Sequence, residues 1–176
     1  MQVESLIREV LQGYELPWHD IHGLSHWGRV LDNGLRLAEA TGADTEVVTL
    51  FAVFHDSRRL NAGTDPGHGR RGAELAASLR GSLFELRDHE FRLLHEACSL
   101  HTDGLTRGDI TVQTCWDADR LDLGRVGVTP WPERLCTAPA KDPGTIDWAC
   151  DRATREVVPD CVRNLWDERM RSLRTP

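Results

Sequence analysis

Apolar positions recur at helical spacing along almost the whole chain. Val3, Leu6, Ile7, Val10 and Leu11 form one stripe that stops at Gly13. Val30, Leu31, Leu35, Leu37 and Ala38 form a second that stops at Gly42. Steps of three and four residues put such positions on one helical face, and a glycine just past the last of them suits a left-handed cap. Asp44 is placed to cap a third helix, whose run VVTLFAVF at 47–54 is apolar enough to lie at the centre of a domain. Gly-Thr-Asp-Pro-Gly at 63–67 reads as a loop, followed by a helix carrying Ala73, Leu75, Ala76 and Leu79. Further helices are expected near 88–101, 109–122 and 146–172. TVQTCW at 111–116 could pass for a strand, but its neighbours continue the helical period. The expected class is all-α.

Residues 124–145 interrupt this pattern with four prolines and three glycines. They read as a long irregular excursion of the kind that forms lids and binding loops. No internal repeat or low-complexity tract occurs. The 176 residues suit one domain over 1–176, with its motif-bearing core at about 20–125 and a helical segment at 146–176.

Composition changes this picture little, since 40% hydrophobic and 28% charged residues are ordinary for a globular chain. The net charge of −7 argues against a nucleic-acid polymer or a membrane surface as partner. It leaves room for a small anion, which responds to the local field of a pocket. Arginine outnumbers lysine 20 to one, supplying forked donors that match phosphate. Five scattered cysteines with no C-x-x-C pair argue against a disulfide framework or zinc finger and for a reducing compartment. The first residues carry charges throughout and no long apolar run follows, so the expectation is a soluble cytoplasmic protein. Self-association into a homo-oligomer is left open.

Three groups of metal-competent side chains stand out. His22 and His26 lie four apart and would share a face if their helix begins early enough. His55 and Asp56 are adjacent at the end of the most apolar helix. Asp117, Asp119 and Asp122 cluster in the third. An adjacent His-Asp pair closing a buried helix is costly to desolvate unless something compensates, and a divalent cation does so directly. Imidazole plus carboxylate without thiolate suits Zn, Mn, Fe or Ni and does not separate them.

The segments HWGRV at 26–30, FHD at 54–56 and DADRLD at 117–122 together resemble the motifs of the HD superfamily of metal-dependent phosphohydrolases. The resemblance covers roughly residues 20–125 and implies a single helical bundle with a metal site at its centre. It implies His26, His55, Asp56 and Asp119 as the core ligands. Asp117 stands as the competing candidate for the last place, and Asp56 and Asp117 are the carboxylates expected to serve in catalysis. Some HD proteins add two histidines between the doublet and the last aspartate to hold a second metal. His68 and His101 resemble those, so the cofactor is one or two divalent ions. His22 then becomes a pocket residue, while His19, His89 and His95 have no assigned part.

Such a centre serves two chemistries. Hydrolases of the superfamily attack phosphorus with metal-activated water. A smaller branch, resembling myo-inositol oxygenase, uses a mixed-valent di-iron site and O₂ to cleave C–C or C–P bonds. Arg58, Arg59 and Arg70, flanked by Arg71, crowd the ligand-bearing segments and are expected to grip phosphate oxygens. Arg29 and Arg120 are expected to pair with carboxylates near the metal. The expectation is a phosphohydrolase acting on a nucleotide or other small phosphorylated metabolite. The rivals are the di-iron oxygenase and a non-catalytic domain that binds metal and nucleotide.

Overall fold

The computed structural model describes residues 3–174, and among them no strand forms. The ends of the expected 1–176 span, residues 1–2 and 175–176, lie outside the described residues. The first stripe folds as α1 (Val3–Gln12), with Leu6, Ile7, Val10 and Leu11 buried. The second folds as α2 (Leu24–Thr41), closed by Gly42 at φ 72°. Only a residue without Cβ takes that conformation without strain. Asp44 caps α3 (Thr45–Phe54) as predicted, accepting from the amides of Glu46 and Val47 at 2.9 and 3.0 Å.

From Val47 to Phe54 every residue of α3 except Thr49 is buried, which makes it the axis of the bundle. Helix α2 packs on one side of it, and α4 (His68–Leu79) and α5 (Asp88–Leu100) on the other. The stretch TVQTCW belongs to α6 (Ile110–Arg120), where tertiary contacts override β-propensity. Trp116 Nε1 donates to Ala97 O of α5 at 3.1 Å, and Asn33 Nδ2 of α2 donates to Ala118 O at 3.0 Å. These bonds tie α6 to both neighbours.

Two expectations are corrected beyond α6. The helix expected near 109–122 turns into a 3-10 segment at Leu121–Val126. The single helix expected at 146–172 is two, α8 (Pro143–Thr154) and α9 (Asp160–Arg174). Glu156 at φ 51° and Pro159 separate them, one leaving the right-handed region and the other unable to donate to a helix. The excursion at 124–145 holds a 3-10 turn, Pro132–Arg134, and a short α7, Ala138–Lys141. It folds back onto α2, burying Leu37, Leu121, Leu135, Ala140, Ile146 and Ala149 in a small apolar cluster beside the main core. Among the described residues no helix is long and apolar enough to cross a membrane.

Two glycines set the spacing of the bundle around the end of α3. A Cβ on Gly72 would stand 2.1 Å from Phe54 O, and one on Gly69 would stand 2.2 Å from Cys98 O. Their absence lets the start of α4 press against the ends of α3 and α5, where three of the predicted ligands sit.

Candidate metal centre

Each histidine of the predicted set arrives from a different element. His26 lies in the first turns of α2, His55 follows the last residue of α3, His68 opens α4 and His101 follows α5. All four rings are buried. Asp56 comes two residues after the end of α3 and Asp119 from the last turn of α6. These six side chains converge, in groups whose ligand atoms lie within 4.8 Å of one another.

Asp56 is the hub. Its Oδ2 lies 3.6 Å from His26 Nε2 and 4.0 Å from His55 Nε2. Its Oδ1 lies 3.0 Å from His68 Nε2 and 3.6 Å from His101 Nε2. Asp119 Oδ1 completes the first half, 3.5 Å from His26 Nε2 and 3.8 Å from His55 Nε2.

The outward nitrogens explain why a cation fits here. His26 Nδ1 meets Asp122 Oδ2 at 2.7 Å, and His55 Nδ1 meets Phe51 O at 3.1 Å. His68 Nδ1 meets Asp65 O at 2.7 Å, and His101 Nδ1 meets Cys98 O at 2.8 Å. An acceptor at each Nδ1 assigns the proton there and leaves Nε2 with its lone pair facing inward. Yet His26 Nε2 and His55 Nε2 stand 3.0 Å apart, and those of His68 and His101 stand 2.9 Å apart. Lone pairs so close repel unless a cation draws them together, and this is the arrangement of histidines that ligate a metal.

Protonation runs the same way. Burial, with the nearby Arg125 and His55, holds His26 well below the ordinary imidazole range. Burial pulls His55 down to about 4. Both rings are therefore neutral at neutral pH, as ligation requires. Burial works against ionisation of Asp56, but His55 and the contacts of its two oxygens with His101, His22 and His68 keep its carboxyl well below the usual range. Asp119 is likewise lowered against the cost of burial, by His55, Arg125 and His26. His101 moves the other way, burial being outweighed by the carboxylates of Asp56 and Asp119 beside it.

The remaining predicted residues divide. Arg59 belongs to the site, its Nη1 3.2 Å from Asp56 Oδ1 and 3.0 Å from His68 Nε2. Asp117 does not, and the catalytic role expected for it is corrected. Its carboxylate accepts from the amides of Cys136 and Thr137 and from the Thr137 hydroxyl at 2.7 to 2.8 Å, pinning the 124–145 excursion. Two residues of helix turn it through about 200° from Asp119.

Arg58 is corrected too. It turns back to the carbonyls of Val10 and Ser57. Arg70 is exposed and pairs with Glu74 on its own helix, so it offers nothing to the pocket. Arg71 is bound to Asp65 and Arg58 O. Arg29 pairs with a carboxylate as expected, Asp122, whereas Arg120 reaches the carbonyls of Arg134 and Leu105 instead.

His22 precedes α2 rather than lying on it, because the helix starts only at Leu24. It still reaches Asp56, with Nδ1 2.7 Å from Oδ2, since a turn at 17–23 holds it over the doublet. His19 is exposed, and neither His89 nor His95 belongs to the ligand groups found among the described residues.

Two residues of the site had no part assigned from the sequence: Asp122, marked there only as metal-competent, and Arg125. Asp122 orients His26, and Arg29 clamps it through Nε and Nη2 at 2.6 and 3.1 Å. Arg125, its side chain 9% exposed, lies 4.0 Å from Asp119 Oδ1 and lines a cavity of about 110 Å³ with Ser25, Asp20 and Trp166. Their signal was the i, i+3 spacing of Asp119, Asp122 and Arg125, legible only once the helix was known to continue as a 3-10 turn.

The chain is similar to the crystal structure of a predicted HD superfamily hydrolase from an uncultured Thermotogales bacterium. The two are 25% identical over 94% of this chain and 90% of that one, with a TM-score of 0.62. No family model matches the sequence, and no match is found among curated proteins. The fold is thus the helical bundle of the HD superfamily, and the His/Asp cluster is consistent with the metal site of that superfamily.

Proposed function

We propose that this protein is a metal-dependent phosphohydrolase acting on a small phosphorylated metabolite. The observation that carries the reading is Asp56, which offers one carboxylate oxygen to His26 and His55 and the other to His68 and His101. The donors His26, His55, Asp56 and Asp119 would hold one divalent ion, and Asp56, His68 and His101 a second. Ions bound there supply Lewis acidity, bringing the pKa of water toward neutrality and drawing charge from phosphate oxygens.

The chain's own residues prepare that chemistry. Asp122 and Arg29 fix the His26 ring from behind, so that it presents Nε2. His22 donates to Oδ2 of Asp56 and helps set the plane of its carboxylate. Arg125 lines the cavity beside Asp119, and with Nε and Nη1 bound to the carbonyls of Ile21 and Asp122 its Nη2 is the donor left for a phosphate oxygen.

The protein, purified without added metal and then supplied with Mn²⁺, Ni²⁺ or Mg²⁺, is to be assayed against sugar phosphates and nucleotides. Phosphate or pyrophosphate release from at least one substrate is expected. No release from any of them, together with O₂ uptake on adding iron and a reductant, would replace this reading with a di-iron oxygenase. The same Asp56-bridged donor set supports that second reading, because it requires two ions sharing one carboxylate.

A further inference from the structure

Arg59 holds an unusual place. Its Nη1 lies 3.0 Å from His68 Nε2 and 3.2 Å from Asp56 Oδ1, while those two acceptors lie 3.0 Å from each other. The guanidinium thus uses the two atoms that, with His101 Nε2, would hold the second ion. It is buried and anchored from outside the cluster, Nη2 to Gly63 O at 2.7 Å and Nε to Asn61 O at 3.3 Å. Among the described residues no arginine stands at the equivalent point of the first half. There Arg125 comes no nearer than 4.0 Å to Asp119, and Arg29 lies behind Asp122, away from the His26 Nε2.

We propose that Arg59 is a built-in cation that competes with the second metal ion for His68 and Asp56, so that the two positions fill in sequence with very different affinities. The proposal rests on the cluster being a metal centre, and it assigns the order of filling. An ion about 2.1 Å from His68 Nε2 lies within about 5 Å of the guanidinium. Two cations at that range, in a buried site, repel strongly. Binding the second ion therefore requires Arg59 to withdraw.

The structure provides a place for it. A cavity of about 270 Å³ under the 60–67 loop is bounded by Arg59, Gly63, Asp65, His68 and Thr102. There the side chain can keep its bond to Gly63 O while leaving His68. A guanidinium displaced to the rim of the centre is also placed to meet substrate oxygens, which would couple the second ion to substrate binding.

The test is calorimetric titration of the purified protein with Zn²⁺ alone, on wild type, Arg59→Gln and Arg59→Lys. Wild type should bind a first equivalent tightly and a second at least tenfold more weakly. In Arg59→Gln the second step should tighten at least tenfold while the first stays within threefold. Arg59→Lys keeps the charge and should remain close to wild type in the second step. Equal tightening by Gln and Lys would overturn the proposal, as would a second step unchanged or weakened in Arg59→Gln. Should the Gln variant not fold, the wild type still decides. The Arg59 side-chain Nε resonance, identified by its loss in Arg59→Lys, should shift with the second equivalent of Zn²⁺ and not with the first. A shift on the first equivalent, or none, would overturn the proposal. A wild type that takes up no Zn²⁺ would instead overturn the metal-centre reading on which it stands.

Discussion

The two halves of the centre share Asp56 and each add two histidine Nε2 atoms, but only the first has a second carboxylate, Asp119, and they differ in what stands behind them. His26 is backed by a buried carboxylate, Asp122, which is clamped in turn by Arg29. His68 and His101 are backed only by the carbonyls of Asp65 and Cys98, and Arg59 lies against the inner face of His68. A carboxylate behind an imidazole raises its basicity and fixes its tautomer more firmly than a neutral carbonyl does. The elements differ as well. The first half is carried by α2, α3 and α6, packed around the apolar axis of the bundle, while the second hangs on the start of α4 and the end of α5, beside the 60–67 loop. On the proposal made above, one half would then be a firm position and the other a contested one.

The largest break in this comparison is Asp56→Ala, which removes the ligand common to both halves. It should abolish metal uptake at both positions, because each half is left with uncompensated buried donors. Elemental analysis after dialysis against excess Mn²⁺ checks this, and stoichiometric metal in the variant would refute the assignment of the hub. Asp122→Asn should act on the first half alone, weakening the tight step about 10- to 100-fold and leaving the weak step in place. Equal losses in both steps of a metal titration would mean that the halves are not separately supported.

Gly69→Ala should do the reverse. Its methyl group would meet the Cys98 carbonyl at 2.2 Å and the His101 ring at 2.7 Å, so α4 and α5 must part. We expect one ion per chain instead of two, with a destabilisation of about 1–3 kcal/mol in thermal melts. Retention of both ions would show that the close approach of these helices is not what joins His68 to His101.

The pH response sharpens the contrast further. In the folded, metal-free protein His55 titrates at about 4, against 6.5 for an unperturbed imidazole, so the unfolded chain binds the extra proton between those values. Its contribution to stability is full above about pH 6.5 and is lost as pH falls toward 4. Asp56 and Asp119, held low, lose theirs in the same direction but at more acid pH. His101, held high, opposes them, its contribution being present below pH 6.5 and lost as pH rises. Denaturant titrations from pH 7 to pH 4 should therefore show net weakening of the metal-free protein. His55→Gln should flatten the slope in that window, and an undiminished slope would exclude His55 as its source. The smallest effect belongs to Arg70→Ala. Arg70 pairs only with the exposed Glu74, so turnover and metal content should stay within twofold of wild type.

These outcomes trace to two kinds of information in the chain. The helical period, the Asp44 cap, the Gly42 stop and the buried run before His55 are local properties, set by side-chain chemistry within a few residues of each other. They were legible from the sequence, as was the His55-Asp56 doublet closing a buried helix, while His26, His68, His101 and Asp119 were legible only through the resemblance to the HD motifs. Which of several similar residues faces the site was not local. Asp117 and Asp119 read alike, but the backbone amides of a loop twenty residues onward claim the first. Arg58, Arg59 and Arg70 read alike too, and Val10 O, Asp56 with His68, and Glu74 separate them. The parts played by Asp122 and Arg125 depend on a 3-10 turn that no period in the sequence marks. The sequence determined the bundle and the donors it brings together. Only the tertiary structure decided how each polar group is satisfied, because a buried donor or acceptor takes its partner from whatever the packing places within about 3 Å.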